Sequence, residues 1–123
     1  MKLSDYEITN QLRGKLISDP RMQSLVSDRI FPVIITADTD GDCVYYEKYG
    51  LSSSDNKMGL HEYSMNVAYG VISDNFDTVN EVAWLIVEIL SGKWSNMSVS
   101  VSDTEEGIKD NKFLKVIEFL IKW

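Results

Sequence analysis

The stretch from Glu62 to Ser73 constrains the fold of this chain more than any other, because its side chains alternate with a period of two. Large apolar residues lie on one side: Tyr63, Met65, Val67, Tyr69 and Val71. Small or polar residues lie on the other: Ser64, Asn66, Ala68 and Gly70. This pattern predicts a half-buried antiparallel strand. The rest of the chain must therefore supply partner strands and a cover for the apolar side.

Further strands are predicted before and after this one. Val44–Tyr49 is rich in β-branched and aromatic residues, and apolar residues alternate with serines over 97–102. Pro32 lacks an amide donor and disfavours helix at Phe31. The segment around these two residues is therefore predicted to be an edge strand or the start of a strand. The chain therefore has strands on both sides of its most regular segment.

The last segment, Phe113–Trp123, is apolar on both sides. One alternating set is Ile117, Phe119, Ile121 and Trp123. The other set is Leu114, Val116 and Leu120. We predict a strand with both faces covered, paired with the preceding strand, and a terminal helix is the alternative.

A first helix is predicted near the N-terminus. Ser4 and Glu7 have the spacing of a capping box, which satisfies free amide groups at a helix start. Apolar residues then recur every four positions, at Ile8, Leu12 and Leu16. Pro20 is predicted to end this helix, and a short helical turn is expected to follow through Leu25.

A second helix is predicted from Asn75 to Ser91. Thr78 and Glu81 again have capping-box spacing, and Gly92 is placed to close the C-terminus. The order of elements predicts an α+β fold, an antiparallel sheet of four to five strands with two main helices packed on one face. No repeat or linker divides the sequence, so residues 1–123 are expected to form a single domain.

Composition narrows the possible functions. The formal net charge of −7 and the sequence pI near 4.6 argue against a nucleic-acid groove, which needs clustered Lys and Arg. The single cysteine, Cys43, gives no sign of an oxidising compartment. No apolar run approaches the roughly 20 residues that span a bilayer, and the N-terminus offers no export signal. The chain is expected to be made in, and to stay in, the cytoplasm.

Three features imitate functional sites. The acidic run Asp38–Asp42, with Glu47 further on, nearly matches a calcium loop, but Thr36 occupies the first ligand position. His61 has no second imidazole or cysteine cluster nearby, and Cys43 has no basic neighbour in sequence, so a packed thiol is expected. We therefore expect no metal, no cofactor and no enzymatic activity.

A resemblance to a known family rests on the order of the elements. The most specific phrase is the run Asp28-Arg29-Ile30-Phe31-Pro32. A strand over 44–47, a loop, the alternating strand, a helix over 75–90 and two closing strands follow it. Over nearly its full length, the chain resembles the tail-terminator (tail-completion, minor tail) proteins of long-tailed phages and prophages.

This resemblance implies a structural role in the virion tail, with assembly in the host cytoplasm. Such proteins form a ring, usually a hexamer, that caps the tail tube and stops the addition of tube subunits. The ring then presents a surface to the neck, or head-completion, proteins. The genome passes through its central hole without sequence-specific binding. The family has no catalytic residues that could be carried over to this chain.

The sequence also suggests where copies of the chain meet. Trp84 lies between Glu81 and Glu88 on the polar stripe of the second helix, so it is a candidate interface anchor. The alternative is a tryptophan lying along the rim of its own core. The closing strand offers further candidates, because a sheet with helices on one side leaves its other face open: Phe119, Ile121 and Trp123. Here the alternative is cover by the first helix or the long loop.

The polar segment between Gly50 and Gly59 is a candidate contact with the tail tube. Its residues cannot bury enough apolar surface to become ordered alone, so contact with the tube could order them: Ser52, Ser53, Ser54, Asp55, Asn56, Lys57 and Met58. An ordinary connecting loop is the alternative for this segment. For the whole protein, the alternative function is a non-phage interaction module that acts as a monomer or dimer.

Overall fold

The computed structural model describes residues 4–26, 29–32, 42–55, 61–109 and 111–123. Its helices are α1 (Asp5–Ser18), α2 (Pro20–Val26) and α3 (Phe76–Leu90). Its strands are β1 (Ile30–Pro32), β2 (Cys43–Asp55), β3 (His61–Ser73), β4 (Gly92–Lys93), β5 (Ser98–Lys109) and β6 (Lys112–Lys122). In the described part of the chain, no helix is long and apolar enough to cross a membrane.

The strands form one sheet in the order β1-β2-β3-β6-β5-β4. The short β1 lies parallel to β2 at one edge, and the remaining pairs are antiparallel. The predicted α+β class is confirmed, whereas the predicted count of four to five strands is too low, since the described residues alone form six. The difference comes from the edges, because the two residues of β4 are too few to produce a recognisable alternation.

The closing segment is a strand, as predicted. β6 lies between β3 and β5 and pairs with both along nearly its whole length. Its residues alternate between the two faces of the sheet, and the apolar residues on the two faces differ in burial. Ile117, Phe119 and Ile121 are buried in the core, whereas Leu114 and Leu120 are half-buried on the opposite face.

All three helices contribute to one core on a single face of the sheet. The predicted stripe of α1 is buried, at Ile8, Leu12 and Leu16. The alternating side of β3 is buried with it, at Met65, Val67, Tyr69 and Val71. Helix α3 contacts both β3 and β6 and is in turn contacted by α1 and α2. We call the covered side of the sheet the helix face and the opposite side the open face.

The helix starts agree with the sequence in one case and differ in the other. The Ser4 hydroxyl accepts a hydrogen bond from the Glu7 amide at 3.2 Å, as the capping-box spacing predicts. Helix α3 is capped by Asn75, whose side-chain oxygen accepts bonds from the amides of Asp77 and Thr78. The predicted Thr78 cap is therefore wrong, because the helix already begins at Phe76. At its other end the cap residue is Ser91, and Gly92 belongs to β4.

We expect Asn75→Ala to lower the free energy of unfolding by about 1 kcal/mol, because two amides at the start of α3 lose their acceptor. Thr78→Ala is the matched control and should change this free energy by no more than about 0.5 kcal/mol. Urea unfolding of both variants measures the difference. A larger loss for Thr78→Ala than for Asn75→Ala would contradict the assignment of the cap.

Strand β2 is longer than the sequence indicated. It continues to Asp55 and pairs with β3 beyond a bulge between Tyr49 and Ser52. Gly50 occupies this bulge with a φ of 67°, a conformation that favours glycine. Past it, the hydroxyls of Ser52 and Ser64 lie 2.8 Å apart across the two strands. The predicted Gly50–Gly59 loop is therefore wrong in its first half, because Ser52–Asp55 pair with β3 although their polar composition is typical of a loop.

Cys43 is buried at the start of β2, as expected for a packed thiol. Burial raises the pKa of this thiol above its ordinary value, although Lys112 and Arg29 act in the opposite direction. The neutral thiol is therefore the favoured form, and a nucleophilic role is not supported.

Candidate interaction surface

The helices do not cover the whole helix face, and the outer strand β5 is left bare over much of its length. Val99, at the start of β5, is 3% exposed under the helices. Val101 points to the same face but is 41% exposed, and Ile108 is 74% exposed. Because β4 pairs only with Ser98 and Val99, it offers no shelter to this part of β5. A groove therefore runs between α3 and the β5–β6 hairpin.

This groove consists of two adjoining depressions of about 410 and 250 Å³. Both are lined by Asn80 and Lys115, so they form one continuous surface. Five large apolar side chains along it remain exposed to solvent: Phe76, Trp84, Val101, Ile108 and Phe113. We call this surface, defined by these five residues with Asn80 and Lys115, the α3 groove.

The polar groups that cross the α3 groove are paired within it. The Lys115 ammonium donates to the Asn80 side-chain oxygen at 3.1 Å and lies 3.2 Å from the Glu106 carboxylate. In the same depression, the rings of Phe76 and Phe113 meet edge to face with centroids 5.5 Å apart. The groove therefore offers apolar surface without an unpaired lysine charge. Burying it against a partner would not require breaking these contacts.

Trp84 differs from the two other tryptophans. The Trp94 indole donates to the Leu90 carbonyl at 3.0 Å, and Trp123 stacks on Tyr63 with centroids 5.5 Å apart. Trp84 is 64% exposed at the side of the larger depression. The prediction that Trp84 lies on the solvent-exposed side of its helix is confirmed. Contacts with its own core cover only the smaller part of this residue.

The two glutamates predicted beside Trp84 have different surroundings. Glu81 is exposed on α3. Glu88 is also exposed, and its carboxylate lies 3.2 Å from the Arg21 guanidinium, which in turn pairs with Asp19. This pairing holds Glu88 toward α2, away from the α3 groove. Of the predicted stripe, Trp84 is the member that lines the groove.

The structure places Phe119, Ile121 and Trp123 inside the protomer. They are 0%, 0% and 7% exposed, so their side chains are already covered in one copy of the chain. The expectation that these three side chains lie on a face left open by the helices is wrong. The helices cover these three residues, and the open face instead receives Leu114, Val116 and Leu120. We do not retain the three buried residues as interface candidates.

The open face combines apolar cover with acidic groups. The ring of Tyr45 lies over Gly70, where an added Cβ would come within 2.1 Å of it. One row across the sheet places Glu47, Glu118 and Asp103 on this face. The Tyr49 hydroxyl donates to the Glu118 carboxylate, and this bond raises the pKa of Tyr49 to about 12. The face is therefore acidic, and neutral Tyr49 is the stable form at physiological pH.

The predicted tube-contacting residues lie at the far end of β2. Ser52 and Ser53 are exposed strand residues, and Ser54 and Asp55 end the strand. Asn56, Lys57 and Met58 lie outside the described residues, as does the acidic run 38–41 of the calcium-loop imitation. Within the described ranges, no group of three or more His, Cys, Asp or Glu residues could hold a metal ion.

Four members of the α3 groove escaped the sequence analysis: Phe76, Val101, Ile108 and Phe113. Val101 follows the alternation of Met97 and Val99, which the structure shows to be buried, so its exposure had no local signal. Only the position of the helices over the sheet decides where that alternation stops being covered. Ile108 and Phe113 face each other across the hairpin, and Phe113 meets Phe76 at the start of α3.

No protein-family model and no curated protein match this chain. Its fold is similar to that of a chain in the solved structure described as the virion of a native gene transfer agent particle. The TM-score is 0.70 and the identity is 14%, and the likeness covers 90% of this chain and 88% of that chain. At this identity the likeness shows a shared fold, spanning nearly the whole of both chains.

Proposed function

We propose that this protein is a structural component of a phage-like virion, where it caps the tail tube as a ring. In this role it ends the polymerisation of tube subunits and forms the surface that joins the tail to the neck or head-completion protein. The observation that carries the proposal is the α3 groove, with Trp84 64% exposed among apolar neighbours. Such a surface is typical of a contact between proteins rather than of a free surface.

The shared fold supports this proposal, because the similar chain belongs to a virion particle and the likeness leaves out little of either chain. We propose a hexamer, located in the virion tail and assembled in the host cytoplasm. Its partners would be other copies of itself, the tube protein and the neck protein.

The net charge of −7 is compatible with a passage for the genome. Carboxylates repel the phosphate backbone, so an acidic lumen would let DNA slide through without sequence-specific binding. The acidic row on the open face, Glu47, Glu118 and Asp103, is the part of the sheet best suited to such a lining. This assignment rests on charge and on the position of that face away from the helices.

Deletion of the coding gene from the genome that carries it tests the proposed function. We expect particles whose tail tubes have uncontrolled lengths and lack attached heads, because nothing ends tube growth or joins the neck. Negative-stain electron microscopy measures the length distribution, and a plasmid copy of the gene is the control that should restore it. Tails of normal length with heads attached would contradict capping and favour the non-phage interaction module.

A further inference from the structure

The outer side of β5 is an open edge of the sheet. β4 pairs only with Ser98 and Val99, and no other described strand lies on that side of β5. After the bulge that follows Val101, residues 103–108 pair regularly with β6 on their inner side. Each of these residues is exposed. We call the outer side of residues 103–108 the β5 edge.

The hydrogen-bonding groups of this edge suit one kind of ligand. In an edge strand, every second residue directs its amide and its carbonyl away from the sheet. At about 3.4 Å for each residue, the β5 edge is roughly 20 Å long. Groups with this spacing match the main chain of another strand, whereas a helix already pairs its own main chain. An extended segment is therefore the ligand that fits the edge.

The helix face of the β5 edge is apolar or internally neutralised. Thr104 and Ile108 border the α3 groove on this face. Between them, the Glu106 carboxylate lies 3.2 Å from the Lys115 ammonium, so its charge is compensated within the protein. A strand added here would place apolar side chains on this face at little cost in desolvated charge.

The open face of the β5 edge carries negative charge without a cation. Asp103 and Glu105 are exposed on this face and form no ion pair with another described residue. Asp103 accepts a hydrogen bond from the Thr104 amide at 2.8 Å. Glu118 lies opposite Asp103 on β6 and adds a third carboxylate to the same face. The side chains of an added strand on this face would therefore lie beside acids.

From this arrangement we propose that the β5 edge binds an extended segment of a different protein, which adds to the sheet as a further strand. Its side chains alternate, with apolar residues toward the α3 groove and Lys or Arg toward Asp103 and Glu105. The main chain supplies most of the affinity, because exposed ion pairs contribute little energy. The basic residues supply selectivity, because an acidic segment would be repelled.

Charge disfavours a second copy of this chain as the occupant. Two β5 edges that pair about a twofold axis would set Asp103 and Glu105 of one copy opposite the acids of the other. Like charges directly opposite each other destabilise a pair of strands. The unpaired acids therefore protect the edge against its own kind and leave it open to a basic segment.

This inference goes beyond the proposed capping function and does not depend on it. Helix α3 packs over β3 and β6. A strand added outside β5 lies two strand spacings, roughly 10 Å, from β6. Trp84 on α3 therefore stays available for contact between copies while the β5 edge is occupied.

Binding of designed peptides tests the proposal. The probe is a fluorescein-labelled peptide of eight residues that alternates valine with lysine, and fluorescence anisotropy measures its affinity for the full chain. One control peptide alternates valine with glutamate, and another has four valines followed by four lysines. We expect the probe to bind at least tenfold more tightly than either control, because only its alternation matches both faces. Bound probe should also slow hydrogen exchange of amides within 103–108.

Charge reversal at the edge locates the binding site. The double variant Asp103→Lys with Glu105→Lys should bind the probe about tenfold more weakly and the glutamate peptide more tightly, because attraction becomes repulsion at two positions. Glu47→Lys is the matched control, on the same face but on β2, and should change the affinity less than twofold. Trp84→Ala should also leave it unchanged. Unchanged affinity of the double variant would place the probe elsewhere and contradict the proposal.

Circular dichroism checks that the double variant is folded. If it is not, Asp103→Asn with Glu105→Gln takes its place. These neutral side chains keep nearly the same shape, and about threefold weaker binding of the probe is then expected, because attraction is lost without repulsion.

Three further results would overturn the inference. Equal binding of the peptide with four successive lysines would show attraction of charge without strand pairing. No binding of the probe at millimolar protein would show that the edge accepts no strand of this chemistry. Slower exchange within 103–108 at higher protein concentration, without peptide, would show that a second copy occupies the edge. Tail capping is tested separately by gene deletion, so its failure and the failure of this inference are distinguishable.

Discussion

Phe119→Ala is expected to lower the free energy of unfolding by about 3–5 kcal/mol, because it removes a fully buried ring and leaves a cavity. Phe119 is 0% exposed, and its ring meets that of Tyr69 edge to face with centroids 5.9 Å apart. It lies on the central strand of the sheet, between Val67 of β3 and Val101 of β5. A domain of this size is stable by about 5–15 kcal/mol, so this variant loses a large share of its stability.

Urea unfolding followed by circular dichroism measures this loss. Leu120→Ala is the matched control, since Leu120 is the next residue of β6 and is half-buried on the open face. We expect it to cost about a third as much, because less surface leaves water when Leu120 folds. Equal losses would contradict the difference in burial between the two residues. A stable Phe119→Ala that fails to assemble would restore the expectation that Phe119 contacts a partner.

Trp84→Ala is expected to have the opposite effects, with folding stability kept and self-association lost. Its free energy of unfolding should change by no more than about 0.5 kcal/mol, because 64% of the side chain is already exposed. Self-association should weaken by about 30-fold or more, the effect of losing about 2 kcal/mol at an interface anchor. Analytical ultracentrifugation measures the loss of self-association. If the variant gene is used to complement the gene deletion, electron microscopy should show tail tubes of irregular length.

Glu105→Ala is the control for Trp84→Ala. Glu105 is also exposed, but it lies on the open face of β5, opposite the α3 groove. It should leave both stability and self-association unchanged. If Trp84→Ala unfolds, Trp84 belongs to the core of its own protomer. If the variant folds and assembles normally, the α3 groove is not the contact between copies.

Elements whose side chains repeat with a clear period could be predicted from the amino-acid sequence. The alternation of β3 and the four-residue spacing in α1 were sufficient, because each period has one face that must avoid water. The exposed stripe of α3, with Trp84 in it, followed from the same reasoning. These patterns are local, because each one depends only on residues that are close together in the sequence.

Which side of β6 is buried, and where cover by the helices ends, depends on how the helices pack on the sheet. Both sides of β6 are apolar, so the choice between Phe119 and Leu120 depends on where the helices lie over the sheet. The exposure of Val101 and Ile108 depends on where α3 lies over the sheet, because both residues border the groove beside this helix. Pairing with β3 likewise made a strand of the serines after Gly50. Whether an apolar residue is buried depends on how the helices and strands pack, whereas the sequence shows only which residues are apolar.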